Sequence, residues 1–384
     1  MTDNLFKEVM AIKESLGNSV VIPAHHYEMD EIVKMADFLG DSYKLAVDCA
    51  ANDAEYIVFC GVMFMAEGAA LLAKPYQKVL IPDRTAGCPM AEMIDAVQAE
   101  KCYANISSLC DREIIPVVYM NSYADMKAFC GSRGGTVCTS SNAAKIVKHF
   151  LDQGKSLFFA PDYNLGINTA NRLGLGKDEI VTIERDMSIK GGNPKTAKMF
   201  LWDGFCHVHK VFTVDDINSF RQTYSQSQGN TINDLTNFIP ARISKAISEK
   251  DINVIVHPEC SEDVVNASDY SGSTSMIWKT VKAGKAGSVW AVGTELRFVE
   301  RMADQFKDKT VVPLRKSVCH NMSKITLAKL KNTLESVLQH RLNKSDNPDK
   351  QSDIQLDEIT VQEKYREDAK KALQLMIDIV EKND

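Results

Sequence analysis

Short apolar runs bounded by polar residues recur along this chain of 384 residues. Runs of this kind are typical of strands that are buried on both faces of a sheet. Longer segments with apolar positions at helical spacing lie between them, and this alternation predicts an α/β protein with parallel sheets. The runs that we interpret as strands are 19–24, 56–61, 78–82, 114–119, 156–160, 199–202, 252–256, 288–292 and 311–314.

The segments between these runs predict helices and surface loops. The last helix has Ala, Leu and Met positions that can pack while its charged residues face water. The predicted helices include one that ends near Gly17, then 29–38, 63–73, one that begins near Thr326, and 361–380. Polar stretches at 184–198, 223–237 and 343–353 predict surface loops or an interruption between helices.

One order of features occurs three times. A strand ends in polar residues, a cluster of hydroxyl residues follows at the start of a helix, and a second strand then ends in polar residues. The successive features are separated by 16 to 21 residues in all three copies, which begin near His25, Asn121 and His257. Agreement this close indicates an internal triplication, in which each unit is a small parallel βα sandwich.

Three cysteines stand in similar turn-like surroundings, one in each third of the chain. Cys88, Cys206 and Cys319 are separated by 118 and 113 residues. If the three units surround a pseudo-threefold axis with their strand ends inward, the three thiols converge on one point. Three thiolates would suit a [4Fe–4S] cluster with one open iron, or a zinc ion with an open position. Three independent buried thiols are the third interpretation, and spacing alone does not exclude it.

Polar pairs occupy equivalent strand ends in the three units. His257 and Glu259 stand two residues apart, where both can face a cavity, and a carboxylate there could move a proton. An ordinary surface ion pair is the alternative. The corresponding pairs are His25 with Tyr27 in the first unit and Tyr119 with Asn121 in the second.

The hydroxyl clusters fall where helices begin. Ser42, Ser140 and the pair Ser273 and Thr274 represent the three units. Such residues are most often helix N-caps, but hydroxyls and free amide groups at a helix N-terminus also bind anions. Three such sites aimed at one centre would hold a small substrate with several negative charges.

Composition narrows the class of protein. The net charge is −6 and no basic patch stands out, so nucleic acid is not an expected partner. The first twenty residues do not resemble a signal peptide, and no apolar stretch is long enough to span a membrane. Ten cysteines without a secretory signal predict reduced thiols in a cytoplasmic protein. The seven cysteines outside the set of three are expected to pack in the core.

Nine short motifs, in order, resemble quinolinate synthases, the family of the second enzyme of NAD biosynthesis from aspartate. The resemblance runs from about residue 18 to the C-terminus. The motifs are Ala24-His-His-Tyr27, Ala36-Asp-Phe-Leu-Gly-Asp-Ser42, 57–67, Ala86-Gly-Cys-Pro-Met-Ala91, Cys138-Thr-Ser-Ser-Asn-Ala143, Trp202-Asp-Gly-Phe-Cys-His-Val-His209, His257-Pro-Glu259, Gly272-Ser-Thr-Ser275 and Gly293-Thr-Glu295.

The resemblance implies three homologous α/β/α sandwich domains around a pseudo-threefold axis, with a [4Fe–4S] cluster at the centre. We expect these domains at 1–112, 113–247 and 248–330, with helices in 331–384 that pack on the body. The implied reaction condenses iminoaspartate with dihydroxyacetone phosphate and gives quinolinate, phosphate and water. A functional link to an L-aspartate oxidase or an aspartate dehydrogenase would supply the imine.

The resemblance also assigns roles to individual residues. The implied cluster ligands are Cys88, Cys206 and Cys319; Cys319 lies in a short Cys-His-Asn-Met context that matches the shorter members of the family. The implied catalytic residues are Tyr27, His209 and Glu259, with Glu259 as base and Tyr27 as proton carrier. The implied substrate-binding residues are His25, Ser42, Tyr119, Asn121, Ser140, His257, Glu259, Ser273 and Thr274.

Other functions fit some of these features. A zinc- or cluster-dependent hydro-lyase for another small carboxylate would share the three thiolates. A cluster-bearing sensor or electron carrier belongs to a different class. A sensor would be expected to carry a basic helix-turn-helix or partner module, and none is evident. A carrier would more naturally have four cysteines and no polar cavity.

Overall fold

The structure is a computed structural model, and it describes residues 2–226, 252–346 and 355–381. Its strands are β1 Val20–Val21, β2 Pro23–His25, β3 Phe38–Gly40, β4 Tyr56–Val58, β5 Lys78–Leu80, β6 Ile114–Tyr119, β7 Thr136–Cys138, β8 Ser156–Ala160, β9 Ile180–Ile183, β10 Ile189–Gly191, β11 Met199–Trp202, β12 Ile252–Val256, β13 Tyr270–Ser271, β14 Val289–Gly293 and β15 Thr310–Pro313. Its α-helices are α1 Thr2–Leu16, α2 Asp30–Val33, α3 Ser42–Ala51, α4 Met63–Leu72, α5 Ala96–Leu109, α6 Ala124–Gly131, α7 Ala143–Leu151, α8 Tyr163–Arg172, α9 Val214–Gln226, α10 Glu262–Ala267, α11 Thr274–Ala283, α12 Leu296–Gln305, α13 Leu327–Asp346 and α14 Glu363–Glu381.

The strands form parallel sheets, which confirms the predicted α/β class. One sheet has the order β1-β4-β5, and β2 and β3 form a parallel pair beside it. A second sheet has the order β10-β9-β11-β8-β6-β7, and a third has the order β13-β12-β14-β15. Only the hairpin pair β9 and β10 is antiparallel among the described strands.

The central strands are buried along their whole length, as their continuous apolar sequences predict. Every residue of β4, β6, β8, β11 and β14 is buried. Strands that are covered by helices on both faces need apolar side chains at every position rather than at alternate ones. Burial of these runs removes apolar surface from water, and the hydrophobic effect therefore holds the layers together.

The last two helices pack on the body. α13 packs against α1 and buries Leu334 and Val337, while α14 packs against α6 and β7. The approach of α14 to α6 is very close, because a Cβ atom at Gly131 would lie 1.9 Å from the backbone oxygen of Asp368. Any side chain at Gly131 would force these two helices apart.

Several sequence-based boundaries were wrong. The helix expected at 29–38 ends at Val33, and β3 follows it. Asp37 explains the change, since its carboxylate accepts a hydrogen bond of 2.8 Å from the backbone N–H of Ile22. That bond draws the segment beside the first strands, where β3 pairs with β2. The strand expected at 19–24 is divided into β1 and β2.

The polar insert at 184–198 is also not a simple loop. It contains β10, which returns as a hairpin against β9, with Met187 in a left-handed conformation (φ 68°) in the turn. The second insert, 223–237, begins inside α9, and its residues from 227 onward lie outside the described residues. Strands β7, β9 and β13 were not predicted. The division of the chain at 112, 247 and 330 stays a prediction.

Among the described helices, none combines the length and the apolar character that crossing a membrane requires.

Candidate active site

One cavity collects nearly all of the predicted site residues. They lie at the carboxyl ends of strands of all the parallel sheets or in the segments that follow those ends, as the rule for ligand sites in open α/β sheets predicts. The predicted residues that line it are His25, Tyr27, Ser42, Cys88, Tyr119, Asn121, Ser140, Cys206, His209, His257, Glu259, Thr274 and Cys319. Ser273 is the exception: it is buried at the start of α11, and its Oγ accepts a hydrogen bond of 3.4 Å from the backbone N–H of Met276.

Two of the site histidines accept the same kind of local hydrogen bond. The backbone N–H of Tyr27 donates to Nδ1 of His25 over 3.1 Å, and the backbone N–H of Glu259 donates to Nδ1 of His257 over 3.3 Å. In a neutral imidazole the other nitrogen must then carry the proton. Both histidines are therefore set to donate from Nε2. His257 directs this nitrogen at Oγ of Ser140, 3.2 Å away.

A chain of buried polar groups runs along one side of the cavity. Glu259 Oε2 lies 2.7 Å from Nδ1 of His209, and Nε2 of His209 lies 3.0 Å from Oγ1 of Thr294. The hydroxyl of Tyr27 lies 2.7 Å from the same Thr294 oxygen. The hydroxyl of Tyr119 donates to Oε1 of Glu259.

The donors and acceptors in this series of hydrogen bonds can be assigned in one consistent direction. If Nδ1 of His209 donates to Glu259, then Nε2 is the acceptor, and it accepts from the hydroxyl of Thr294. That hydroxyl can in turn accept from Tyr27. A carboxylate that orients an imidazole, with a hydroxyl on its far nitrogen, is an arrangement suited to general acid and base catalysis.

Burial and neighbouring charges divide these groups into an anion and neutral partners. Burial alone would raise the pKa of Glu259, but His209, His257 and the hydrogen bonds from His209 and Tyr119 hold this pKa below its ordinary value. Burial, with Glu259 nearby, raises the pKa of Tyr27 and of Tyr119 well above the usual range. Glu259 is thus a carboxylate at neutral pH, and both tyrosines keep their protons.

Burial also keeps His25 and His257 neutral. Burial and then the neighbouring His209 lower the pKa of His257 to about 3. Burial and then His26 lower the pKa of His25 well below its usual value. The ring of His257 also stacks on that of His209, with centroids 4.4 Å apart and planes inclined by 19°.

The three predicted cysteines line the same cavity and are half-buried, and none of them forms a disulfide. Burial raises the pKa of Cys88 to about 12 and that of Cys319 to about 11, and it raises the pKa of Cys206 well above its usual value. The proximity of the other thiols adds to the shifts of Cys88 and Cys206.

At two of the thiols, backbone amides offset part of the rise in pKa. The N–H groups of Met90 and Ala91 lower the pKa of Cys88, and those of Asn321 and Met322 lower that of Cys319. Convergent thiols that are not oxidised and that receive N–H donors have the chemistry of cluster ligands. The residues therefore fit a cluster held by three cysteines.

A second set of metal-binding atoms overlaps with the first. The ligand atoms of Cys206, His209 and Glu259 lie within 4.8 Å of one another. Sulfur, imidazole nitrogen and carboxylate oxygen together form a ligand set that zinc accepts. The sequence interpretation placed zinc on the three cysteines, and these atoms offer zinc a different ligand set.

Anions in this cavity would have to be held without lysine or arginine. Among the described residues, none of the side chains that line it is of either type. The hydrogen-bond donors are hydroxyls, amides and imidazole Nε2–H groups, together with the N-termini of α3 and α11, where Ser42 and Thr274 are the first helical residues.

The sequence analysis missed several residues of the site. Thr294, which joins Tyr27 to His209, belongs to the motif 293–295 but had no assigned role. Asp41 lines the cavity, caps α3 through Lys44 and accepts a 3.0 Å hydrogen bond from Ser275. Their side chains act across units, so spacing along the chain could not identify them. Further lining residues without an earlier role are Thr139, His207 and Asn321.

Of the seven other cysteines, six are buried, and Cys110 is half-buried. None of them lines the cavity. Cys260, which follows Glu259 directly, is fully buried, and its Sγ lies 3.8 Å from the backbone oxygen of Gly293. These positions agree with the expected role in core packing.

Comparisons with known proteins agree with the site. The family model described as "Quinolinate synthetase A protein" matches residues 7–229 and 236–378. A quinolinate synthase of Streptomyces coelicolor is 43% identical over 349 residues, which cover 88% of this chain and 82% of the relative. A quinolinate synthase of a Geobacillus species is 42% identical over 334 residues, which cover 86% of this chain and 84% of the relative. The chain belongs to the quinolinate synthetase A protein family.

Proposed function

We propose that this chain is a quinolinate synthase of NAD biosynthesis that condenses iminoaspartate with dihydroxyacetone phosphate and releases phosphate and water. One observation carries the proposal: three free thiols line the same cavity as Tyr27, His209 and Glu259, which Thr294 helps to connect by hydrogen bonds. Family membership supports the product named in the proposal.

Cys88, Cys206 and Cys319 would hold a [4Fe–4S] cluster. When bound, the iron without a cysteine ligand would supply Lewis acidity toward a substrate oxygen. Because the pKa of all three thiols is raised, loading of the cluster must release protons from them.

The lining of the cavity suits the two substrates, since one carries carboxylates and the other a phosphate. The Nε2–H groups of His25 and His257 and the hydroxyls of Ser42, Ser140 and Thr274 would donate to these anions. Neutral donors bind an anion without fixing a counter-charge that phosphate release would have to overcome. Asn121 and Tyr119 complete the proposed substrate-binding set, and Ser273 would act by capping α11.

Proton transfer is assigned to the buried chain. His209 would take a proton on Nε2, and Glu259 would stabilise the imidazolium that results. Tyr27 would donate to a leaving oxygen and be reprotonated through Thr294. This assignment changes our sequence-based choice of base from Glu259 to His209, because a carboxylate of lowered pKa is a weak base.

The substrate chemistry also suggests a partner. An imine of aspartate hydrolyses in water, so an enzyme that oxidises aspartate, either an oxidase or a dehydrogenase, would have to supply it. We place the reaction in the cytoplasm, where ten unpaired cysteines are stable.

The first experiment is anaerobic purification followed by iron, sulfide and zinc analysis, an absorption spectrum and an assay for quinolinate. We expect about four irons and four sulfides per chain, as a [4Fe–4S] cluster requires. Single substitutions Cys88→Ser, Cys206→Ser and Cys319→Ser should each lose the cluster and the activity. Cys110→Ser is the matched control, because Cys110 is also half-buried but lies outside the cavity.

Two results would contradict the proposal. One is a cluster that survives the three substitutions. The other is one zinc per chain that is lost with Cys206→Ser but kept with Cys88→Ser and Cys319→Ser. The second result would favour a zinc hydro-lyase that uses Cys206, His209 and Glu259.

A further inference from the structure

Two charged residues at the start of α12 have no part in the cavity, although one of them is completely buried. Glu295 is 0% exposed, and its Oε2 accepts hydrogen bonds from the backbone N–H groups of Arg297 (2.8 Å) and Phe298 (3.3 Å). Its other oxygen, Oε1, lies 3.6 Å from Nη1 of Arg297, and neither atom has a hydrogen-bond partner among the described residues. A buried pair of charged groups stabilises a fold little unless further hydrogen bonds satisfy its atoms.

Another hydrogen bond of Arg297 leads to Cys319. Nη2 of Arg297 donates to Oγ of Ser323 over 2.9 Å, and that hydroxyl donates to the backbone oxygen of Cys319 over 3.0 Å. Burial raises the pKa of Glu295 to about 7, and the backbone N–H of Cys319 is one of the groups that lower it. The pair thus reaches both the amide and the carbonyl of the same cysteine.

The same helix end also holds the approach to that cysteine. The backbone N–H of Leu296 donates to the backbone oxygen of Ser317 over 2.8 Å. The hydroxyl of Ser317 donates to the backbone oxygen of Val208 over 2.7 Å, in the segment that carries Cys206. The start of α12 is therefore connected to two of the three thiol-bearing segments.

Cys319 needs such support more than Cys206 does. The carbonyls of both cysteines accept from the backbone N–H four residues later, from Lys210 over 3.0 Å and from Ser323 over 3.2 Å, so the two sites differ in the approach to the cysteine. Cys206 lies four residues after β11. Cys319 lies six residues beyond the end of β15 at Pro313. A longer irregular segment has more conformational entropy to lose when a ligand is fixed.

We propose that Glu295 and Arg297 are positioning residues that hold Cys319 ready for the cluster. The proposal rests on the proposed role of Cys319 as a ligand. Residues that orient a ligand without touching the metal are a general requirement of metal sites. Neither residue would contact substrate, so their substitution should act on the geometry of the thiol rather than on the chemistry in the cavity.

The direct test measures how accessible Cys319 is in the full-length protein after its metal has been removed with a chelator. Alkylation by iodoacetamide is followed at Cys319 and at Cys88 by peptide mass spectrometry. In Arg297→Gln and in Ser323→Ala we expect Cys319 to react about fivefold faster relative to Cys88, which corresponds to the net contribution of one hydrogen bond. Glu295→Gln should act in the same direction.

Arg133→Gln is the matched control. The side chain of Arg133 is 26% exposed, against 22% for Arg297, and it pairs with Glu100; neither residue lines the cavity. Arg133→Gln should lower the melting temperature about as much as Arg297→Gln does. It should leave the ratio of the two alkylation rates unchanged. Equal ratios in Arg297→Gln, Ser323→Ala and Arg133→Gln would overturn the proposal.

A second measurement uses the cluster-loaded protein. In Arg297→Gln the rate at which the cluster is lost in air should rise about tenfold over wild type and over Arg133→Gln, as is typical for residues that orient metal ligands. An unchanged rate and an unchanged electron paramagnetic resonance spectrum of the reduced cluster would count against the proposal. If wild type holds no cluster, the proposed function fails instead, and the alkylation ratio still decides the positioning role.

Discussion

The turns 25–27 and 257–259 share one backbone design but differ in chemistry. In both, a histidine stands at the end of a strand or directly after it, and its Nδ1 accepts from the backbone N–H two residues later. The donating residue is Tyr27 in the first turn and Glu259 in the second. Burial and the nearby carboxylate raise the pKa of Tyr27, whereas the surrounding imidazoles keep that of Glu259 low despite burial.

This difference shows how similar turns can supply opposite chemical roles. One turn presents a proton donor and the other an anion, and His209 with Thr294 connects them. Strand β6 ends at Tyr119, whose hydroxyl also donates to Glu259. The following predictions test these assignments, from the largest expected effect to the smallest.

Glu259→Gln should have the largest effect. The amide cannot stabilise a protonated His209, so kcat should fall about 10⁴-fold, by analogy with the loss of the orienting carboxylate in a catalytic triad. Steady-state quinolinate formation measures the effect, and the iron content shows whether the cluster is retained. Glu262→Gln, on the exposed start of α10, is the control. Loss of less than tenfold in Glu259→Gln would show that this anion is not needed for proton transfer.

Tyr27→Phe should have a smaller effect, because it removes one proton donor and leaves the pair of His209 and Glu259 intact. We expect kcat to fall about 10²-fold, the lower end of the range for general acid catalysis. Tyr76→Phe is a control at a tyrosine that is 52% exposed and outside the cavity. Unchanged kcat in Tyr27→Phe would transfer the donor role to another group, with Tyr119 the next candidate.

The buried neutral histidines, His257 and His25, should make the protein less stable in acid. The folded-state pKa of His257 is about 3, below the value of about 6.5 for an unfolded chain, so the unfolded state binds more protons between these pH values. The free energy of unfolding should therefore fall as pH decreases from about 6.5, by up to about 1.4 kcal/mol per pH unit for this group.

Urea denaturation of the metal-free protein between about pH 4.5 and 7 measures this slope. His257→Gln should make the slope shallower by the contribution of one proton. Ser141→Ala, which changes no group that titrates in this range, should leave the slope as it is in wild type. A slope that His257→Gln does not change would mean that His257 does not account for the loss of stability.

Ser140→Ala should have the smallest effect. It removes the partner of Nε2 of His257, so the free energy of substrate binding should weaken by about 1 kcal/mol. The value of KM should rise about fivefold while kcat stays nearly constant, because the hydroxyl is assigned to binding only. Ser141→Ala is the neighbouring control. A fall of kcat with unchanged KM would instead place Ser140 in the proton chain.

The sequence predicted the parallel α/β class and the main strands well, since buried strands need continuous apolar runs whatever their neighbours are. It predicted short strands poorly. β3, β10 and β13 contain two or three residues each, and their pairing depends on partners elsewhere, as the bond from Ile22 to Asp37 shows. Local propensity cannot contain that information.

For the site too, the sequence predicted some features and only the tertiary structure decided others. The sequence by itself identified the three cysteines and the polar strand ends, because equal spacing and residue type are visible along the chain, and motif resemblance added their roles. Only the tertiary structure decided which groups touch. Thr294 became the link between Tyr27 and His209, and Arg297 the support of Cys319, through contacts that join segments far apart in sequence. Hydrogen bonds depend on distances of a few tenths of an ångström, and only the packing of the sheets sets those distances.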